Sequence, residues 1–164
     1  MSAVVARSDE EPEANRQAQF ARILLASEGR PFSNAVLSRV SELAARSGAS
    51  VHVLSIARVH GVAFGLPNPG LLPTKREWDE QRESVRRAVA RLRRKGLEAD
   101  GQVLGTRNAT KKILAQAAAE GCEAIVMGGD PDAGRLMGDF MWTQEPQRVR
   151  RKAKIPVFVV RDER

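Results

Sequence analysis

A chain of 164 residues with 42% apolar and 29% charged side chains has the size and balance of one soluble domain with a real core. No apolar run nears the roughly 18 residues that a membrane span needs, so no membrane association is expected. The single cysteine, Cys122, excludes an intrachain disulfide and a cysteine-based zinc cluster; with no signal-peptide core at the amino terminus, a reducing cytoplasm is the expected setting.

The net charge of +7 is unevenly placed: the first 18 residues carry −2 and the remainder +9. Nine basic and four acidic residues lie between Lys75 and Lys95, and five of the seven in RVRRKAK (Arg148–Lys154) are basic. Such patches speed encounters with anions. Aromatic residues are only 4%, with no tyrosine, so the stacking platform of a single-strand binder is missing and nucleic acid is not an expected partner.

Residues 1–18 are polar and without period and read as a mobile tail; 19–164 read as the folded domain. ARILLAS is a short continuous apolar run, as a strand buried on both faces requires. Val36, Val40, Leu43 and Ala44 then share one helical face, and Gly48 ends that helix. SVHVLSIA is a second, β-branched strand. His60 to Pro73, dense in glycine and proline, reads as an irregular flap.

Thr74 is the expected cap of the next helix, with Trp78, Val85, Val89 and Leu92 as its apolar stripe and Gly96 as its stop. LEADGQVLG is a weaker strand. NATKKILAQAAAEG is a short helix capped by Asn108, with Ile113, Leu114, Ala117 and Ala118 inward. CEAIVMGG is the clearest buried strand, a last helix spans 145–152, and Ile155–Arg161 closes the chain as a strand. Strands alternating with helices in this order predict an α/β fold, a Rossmann-like five-stranded parallel sheet with helices on both faces. Ligands of such sheets bind beyond the carboxyl ends of the strands. Those ends are here Ser27-Glu28-Gly29, Ile56-Ala57, Gly105 and Met127-Gly128-Gly129.

ILLASEGRPFSNAVLSRVSELAARSGASVHVLSI at the front, with KKILAQAAAEGCEAIVMGG and RVRRKAKIPVFVVR at the back, resembles the universal stress protein family over Arg22 to Arg161. The resemblance implies an adenine-nucleotide-binding type of α/β fold, the alpha-hydrolase-like kind. It also implies a cytoplasmic stress-response role, a homodimer through the final strand Ile155–Arg161, and no robust catalytic reaction. Family members that bind ATP carry, after the fourth strand, a glycine, two residues, a second glycine, nine residues and then Gly-Ser or Gly-Thr. Glycines let backbone N–H groups approach the phosphates, and the hydroxyl adds a donor.

Gly128 matches the first glycine, but the second falls on Pro131, which has no N–H. Counted forward, the Gly-Ser pair falls on Met141-Trp142; counted back from Val149, it falls on Thr143-Gln144. Gly134 and Gly138 could serve only a rearranged loop. Asp130 and Asp132 would repel a triphosphate in the absence of a metal, and Phe140, Met141 and Trp142 stand where phosphates would lie, as a plug of the cleft or an exposed apolar patch. Glu28 replaces the family's aspartate after the first strand; it reads equally as a ribose or base partner and as an exposed acid beside Arg30.

The remaining candidates are weaker. His52 in a strand has no carboxylate or second histidine at ligand spacing and reads as structural, His60 opens the flap, and Cys122 reads as a packed small residue. No catalytic or metal site is expected. The expected function is a non-catalytic stress-response module that works through dimerisation and protein contacts, without a cofactor and without strong ATP binding. The alternative is a sensor of ATP, AMP or cyclic AMP, held by Ser27, Glu28, Ile56, Met127, Gly128, Gly129 and Thr143.

Overall fold

The computed structural model describes residues 13–58, 62–63, 66–67, 73–129 and 145–161. In chain order the elements are α1 (Glu13–Gln17), β1 (Arg22–Ser27), α2 (Asn34–Ser47), β2 (Ser50–Arg58), β3 (Val62–Ala63) and β4 (Leu66–Pro67). They continue with α3 (Lys75–Arg94), β5 (Ala99–Thr106), α4 (Ala109–Ala119), β6 (Ala124–Gly129), α5 (Glu145–Lys152) and β7 (Val157–Arg161).

Five strands form one parallel sheet in the order β5-β2-β1-β6-β7. β1 is central because its apolar run tolerates burial on both faces: every residue from Ile23 to Ser27 is buried. Alternate residues feed different cores. Ile23 and Leu25 pack with Val40, Leu43, Val85 and Leu92 under α2 and α3. Leu24 and Ala26 pack with Leu54, Ile113, Ile125 and Val149 under α4 and α5. The chain leaves β1 for β2 on one side and later returns to β6 on the other, so strand order reverses between β1 and β6, which opens a crevice at their carboxyl ends.

Local chemistry sets the helix ends. Ser33 accepts from the Val36 N–H, and α2 stops at Gly48, whose φ of 68° is left-handed. Thr74 opens α3 with a capping box, its hydroxyl taking the Glu77 N–H while the Glu77 carboxylate takes the Thr74 N–H. Asn108 caps α4 through Lys111 N–H.

Several elements differ from the sequence expectation. Glu13–Gln17 is a short helix where no regular structure was expected. Within the expected irregular flap, Val62–Ala63 and Leu66–Pro67 pair as a minimal antiparallel ribbon. Ala118 is exposed rather than inward, because α4 is short and buries a narrow stripe of Ala109, Thr110, Ile113 and Ala117. Among the described residues no helix is long and apolar enough to cross a membrane.

Candidate functional site

At the end of β1, Ser27 turns the chain away from the sheet: its hydroxyl donates to the Arg30 carbonyl and accepts from the Gly29 N–H at 3.1 Å. Glu28 is only 1% exposed and ion-pairs with Arg30. The reading of Glu28 as an exposed acid is therefore corrected: it lies beside Arg30 as expected, but inside the fold and ion-paired. A longer carboxylate reaches a neighbour from inside the fold, and a buried charge persists only when paired.

Gly29 has a φ of +123°, and a Cβ there would lie 3.2 Å from the Ile56 carbonyl oxygen, so glycine is required where the ends of β1 and β2 meet. Gln81 of α3 ties the two together, donating to the Gly29 carbonyl at 2.9 Å and accepting from the Ser55 hydroxyl. Ile56 is fully buried in the core beneath.

On the other side of the crevice Met127, Gly128 and Gly129 end β6, all buried. A Cβ on Gly129 would come within 2.9 Å of the Pro146 ring, so the strand is pressed against the first turn of α5. Glu145, at the start of that helix, is 7% exposed, accepts a hydrogen bond from the Thr110 hydroxyl of α4, and pairs with Arg148 at 3.4 Å. The structure thus brings Ser27, Glu28, Ile56, Met127, Gly128 and Gly129 to the carboxyl ends of three neighbouring strands. Thr143 and the stretch from Asp130 to Trp142 lie outside the described residues, as does His60.

Sequence reasoning missed Glu145 and Thr110, which are 35 residues apart, and a second cluster at the opposite end of the sheet. There Arg22 donates to Asp100 at 3.1 Å and to Glu120 at 3.0 Å, and lies against His52. His52 is buried, with Nδ1 2.8 Å from Asp100 and Nε2 3.2 Å from the Gln102 amide. Partial burial opposes ionisation of Asp100, but hydrogen bonds from His52 and Arg22 outweigh it and hold its carboxyl below the usual range. Burial likewise works against the Arg22 charge, yet its bonds to Glu120 and Asp100 raise its pKa.

The ligand atoms of His52, Asp100 and Glu120 lie within 4.8 Å of one another, as a metal would require. The Arg22 guanidinium already supplies the positive charge at that point, so the cluster is a structural ion network. Register explains it: His52 and Asp100 are direct partners across β2 and β5, and β1 starts beside them.

Cys122 sits near this network, and burial pushes its thiol up to about 11. At pH 8 its thiolate fraction is therefore smaller than that of a free cysteine by a factor of about 100 or more. Alkylation by iodoacetamide is expected to be slower in the folded protein by at least that factor than in urea, as followed by mass spectrometry. Equal rates in both states would contradict the placement.

A parallel sheet whose strand order reverses at a crevice, with helices covering both faces, defines the class of Rossmann-like α/β proteins. The profile of the universal stress protein family matches residues 19–161, and the chain belongs to that family. A search of curated proteins found no match. Among solved structures, the universal stress protein from Archaeoglobus fulgidus in complex with dAMP is similar, at 21% identity and a TM-score of 0.63, covering 87% of this chain and 99% of that one. A universal stress protein in complex with cAMP gives 17% identity and a TM-score of 0.62 over 89% of this chain and 100% of the other. UspA from Lactobacillus plantarum gives 16% and 0.66 over 88% and 99%. At these identities the likeness speaks to the fold.

Proposed function

We propose that this universal stress protein is a non-catalytic, cytoplasmic stress-response module that acts as a homodimer and through protein contacts, without strong ATP binding. The observation that carries this reading is the amino terminus of α5. A helix start attracts phosphate through free N–H groups and the positive end of its dipole. Here the first turn holds the Glu145 carboxylate, buried and bonded to Thr110, and Pro146, which has no N–H. Negative charge is thus already in place, and one donor is gone. The loop sequence supports the same view: Pro131 replaces a glycine, and neither register supplies Gly-Ser or Gly-Thr. The dimer reading is supported by β7, which among the described residues is an edge strand with β6 as its one neighbour in the sheet, and has Val159 and Val160 half-buried.

A second reading, an adenine-nucleotide sensor, is favoured by the crevice itself. Buried Glu28, with Ser27, Ile56, Met127 and the paired glycines, could hold adenosine while the phosphate side is blocked. Two similar structures are complexes with dAMP and cAMP. Calorimetric titration with Mg-ATP, AMP and cyclic AMP tests both. No heat with any of them is the expected result; micromolar binding of Mg-ATP would overturn the first reading, and binding of AMP or cyclic AMP alone would establish the second. Sedimentation velocity at micromolar concentration is expected to report a dimer.

A further inference from the structure

We propose that the outer edge of β5, together with Arg82, Arg86 and Arg93 of α3, is a docking edge that takes an extended acidic peptide of a partner protein as an added strand. The proposal gives a surface to the protein contacts in the reading above and rests on that part of it.

The first observation is the edge itself. Among the described residues, β5 has β2 as its one neighbour in the sheet. The bond from Val51 N–H to the Glu98 carbonyl fixes the phase of the parallel ladder, so alternate residues of β5 face β2. Those between them, Ala99, Gly101, Val103 and Gly105, turn their N–H and C=O groups outward. Arg93 Nε caps the Ala99 carbonyl at 2.9 Å, which confirms the phase. Among the described residues, the later positions have no such cap. Natural edge strands are commonly blunted by lysine, proline or a bulge. The sequence ADGQVLGT offers neither lysine nor proline, and its pairing with β2 runs in continuous register from Ala99 to Thr106.

The second observation is a cleft of about 580 Å³ between this strand and α3, lined by Arg82, Val85, Arg86, Val89, Arg93 and Val103 among others. Its rim is cationic and its floor apolar. Arg82 pairs with Asp79 at 3.3 Å and lies over the Trp78 ring at 5.5 Å, and Arg86 pairs with Glu83 at 2.6 Å, all on the exposed side of α3 itself. Exposed pairs of this kind are worth little, so both guanidiniums can turn to a new carboxylate at small cost.

Sidedness fixes the chemistry of the occupant. Residues of an added strand alternate between the two faces of the sheet. On the α3 side they meet the three arginines. On the other side they meet Asp100, Gln102 and Leu104, where the Asp100 carboxylate disfavours a second acid. The matching peptide therefore alternates acidic and apolar residues.

The probe is a fluorescein-labelled (Glu-Val)₄ peptide, blocked at both ends, titrated with the full chain and read by anisotropy. Saturable binding is expected, weakened by about tenfold or more in the variant carrying Arg82→Glu and Arg86→Glu. It should be lost when alternate peptide nitrogens are methylated, a control that leaves the protein untouched. Amide exchange at Gly101, Val103 and Gly105 should slow when the peptide is added. The proposal fails if nothing binds at millimolar concentration, or if a (Lys-Val)₄ or methylated peptide binds equally well. It also fails if the chain alone protects those amides by pairing with a second copy there. None of these failures touches the nucleotide titration or dimerisation through β7.

Discussion

Gly101→Val is expected to be the most destabilising single substitution on the surface of the sheet, costing roughly 3 kcal/mol. A Cβ at this position would lie 2.5 Å from Val85 Cγ1, 3.0 Å from the Val53 carbonyl oxygen and 3.1 Å from Val89 Cγ2. Val85 and Val89 are buried on α3 and hold it to the sheet, so neither can rotate away without opening the core. The whole helix has to lift. For a chain of this length the loss corresponds to a fall in melting temperature of roughly 6–12 °C.

Gly48→Ala is the informative comparison. Nothing lies within 4 Å of its added Cβ, and only the left-handed φ of +68° opposes it, at a cost of roughly 1 kcal/mol. Adding Val85→Ala to Gly101→Val should recover at least about 1 kcal/mol relative to the sum of the single changes, because the closest clash is then gone. Urea unfolding of the native protein, Gly101→Val, Val85→Ala and the double variant gives the cycle, with Gly48→Ala measured beside them. If Gly101→Val costs no more than Gly48→Ala, glycine does not set the distance between α3 and β5.

The same strand shows what a linear reading can and cannot reach. The continuous apolar runs of β1 and β6 announce a parallel sheet because burial on both faces removes the alternation of an amphipathic strand. Thr74, Asn108 and Gly48 mark helix ends because each has a local partner within a turn. The weak pattern of β5 has a cause: Gly101 and Gly105 stand where inward apolar residues would be, since Val85 and Trp78 fill those places from α3.

The site was legible in part. That Ser27, Glu28, Ile56 and Met127–Gly129 converge follows from the topology alone. The burial of Glu28 does not, because it depends on how Arg30 folds back over it. Glu145 was hidden for another reason. An acid at a helix start has an ordinary explanation in the helix dipole, and only its bond to Thr110, from a different helix, places it inside the fold. His52 looked isolated because Asp100 is 48 residues away; strand register made them neighbours.

Arg22→Met is the substitution expected to change the response to pH and to metal. The methionine keeps the apolar stem but leaves Asp100 and Glu120 facing each other beside His52, without the guanidinium that now joins them. The Arg22 side chain is 22% exposed and Asp100 57% exposed, so the loss lies between that of a surface pair and a buried one, about 2 kcal/mol at pH 7. The depressed Asp100 pKa gives the sign of the pH dependence. A carboxyl whose folded pKa lies below its unfolded one adds stability that is present above the unfolded value, near 3.9, and is lost as pH falls through the folded value. The gap between the two proteins should therefore be widest near neutrality and close below about pH 4. Urea midpoints between pH 3 and 8 read this directly, and a gap that widens in acid would contradict it. Removing the guanidinium also vacates the point on which His52, Asp100 and Glu120 converge. Zinc at tens of micromolar is then expected to raise the melting temperature of the variant and leave the native protein unchanged. If zinc stabilises both proteins equally, Arg22 is not the cation that holds the cluster.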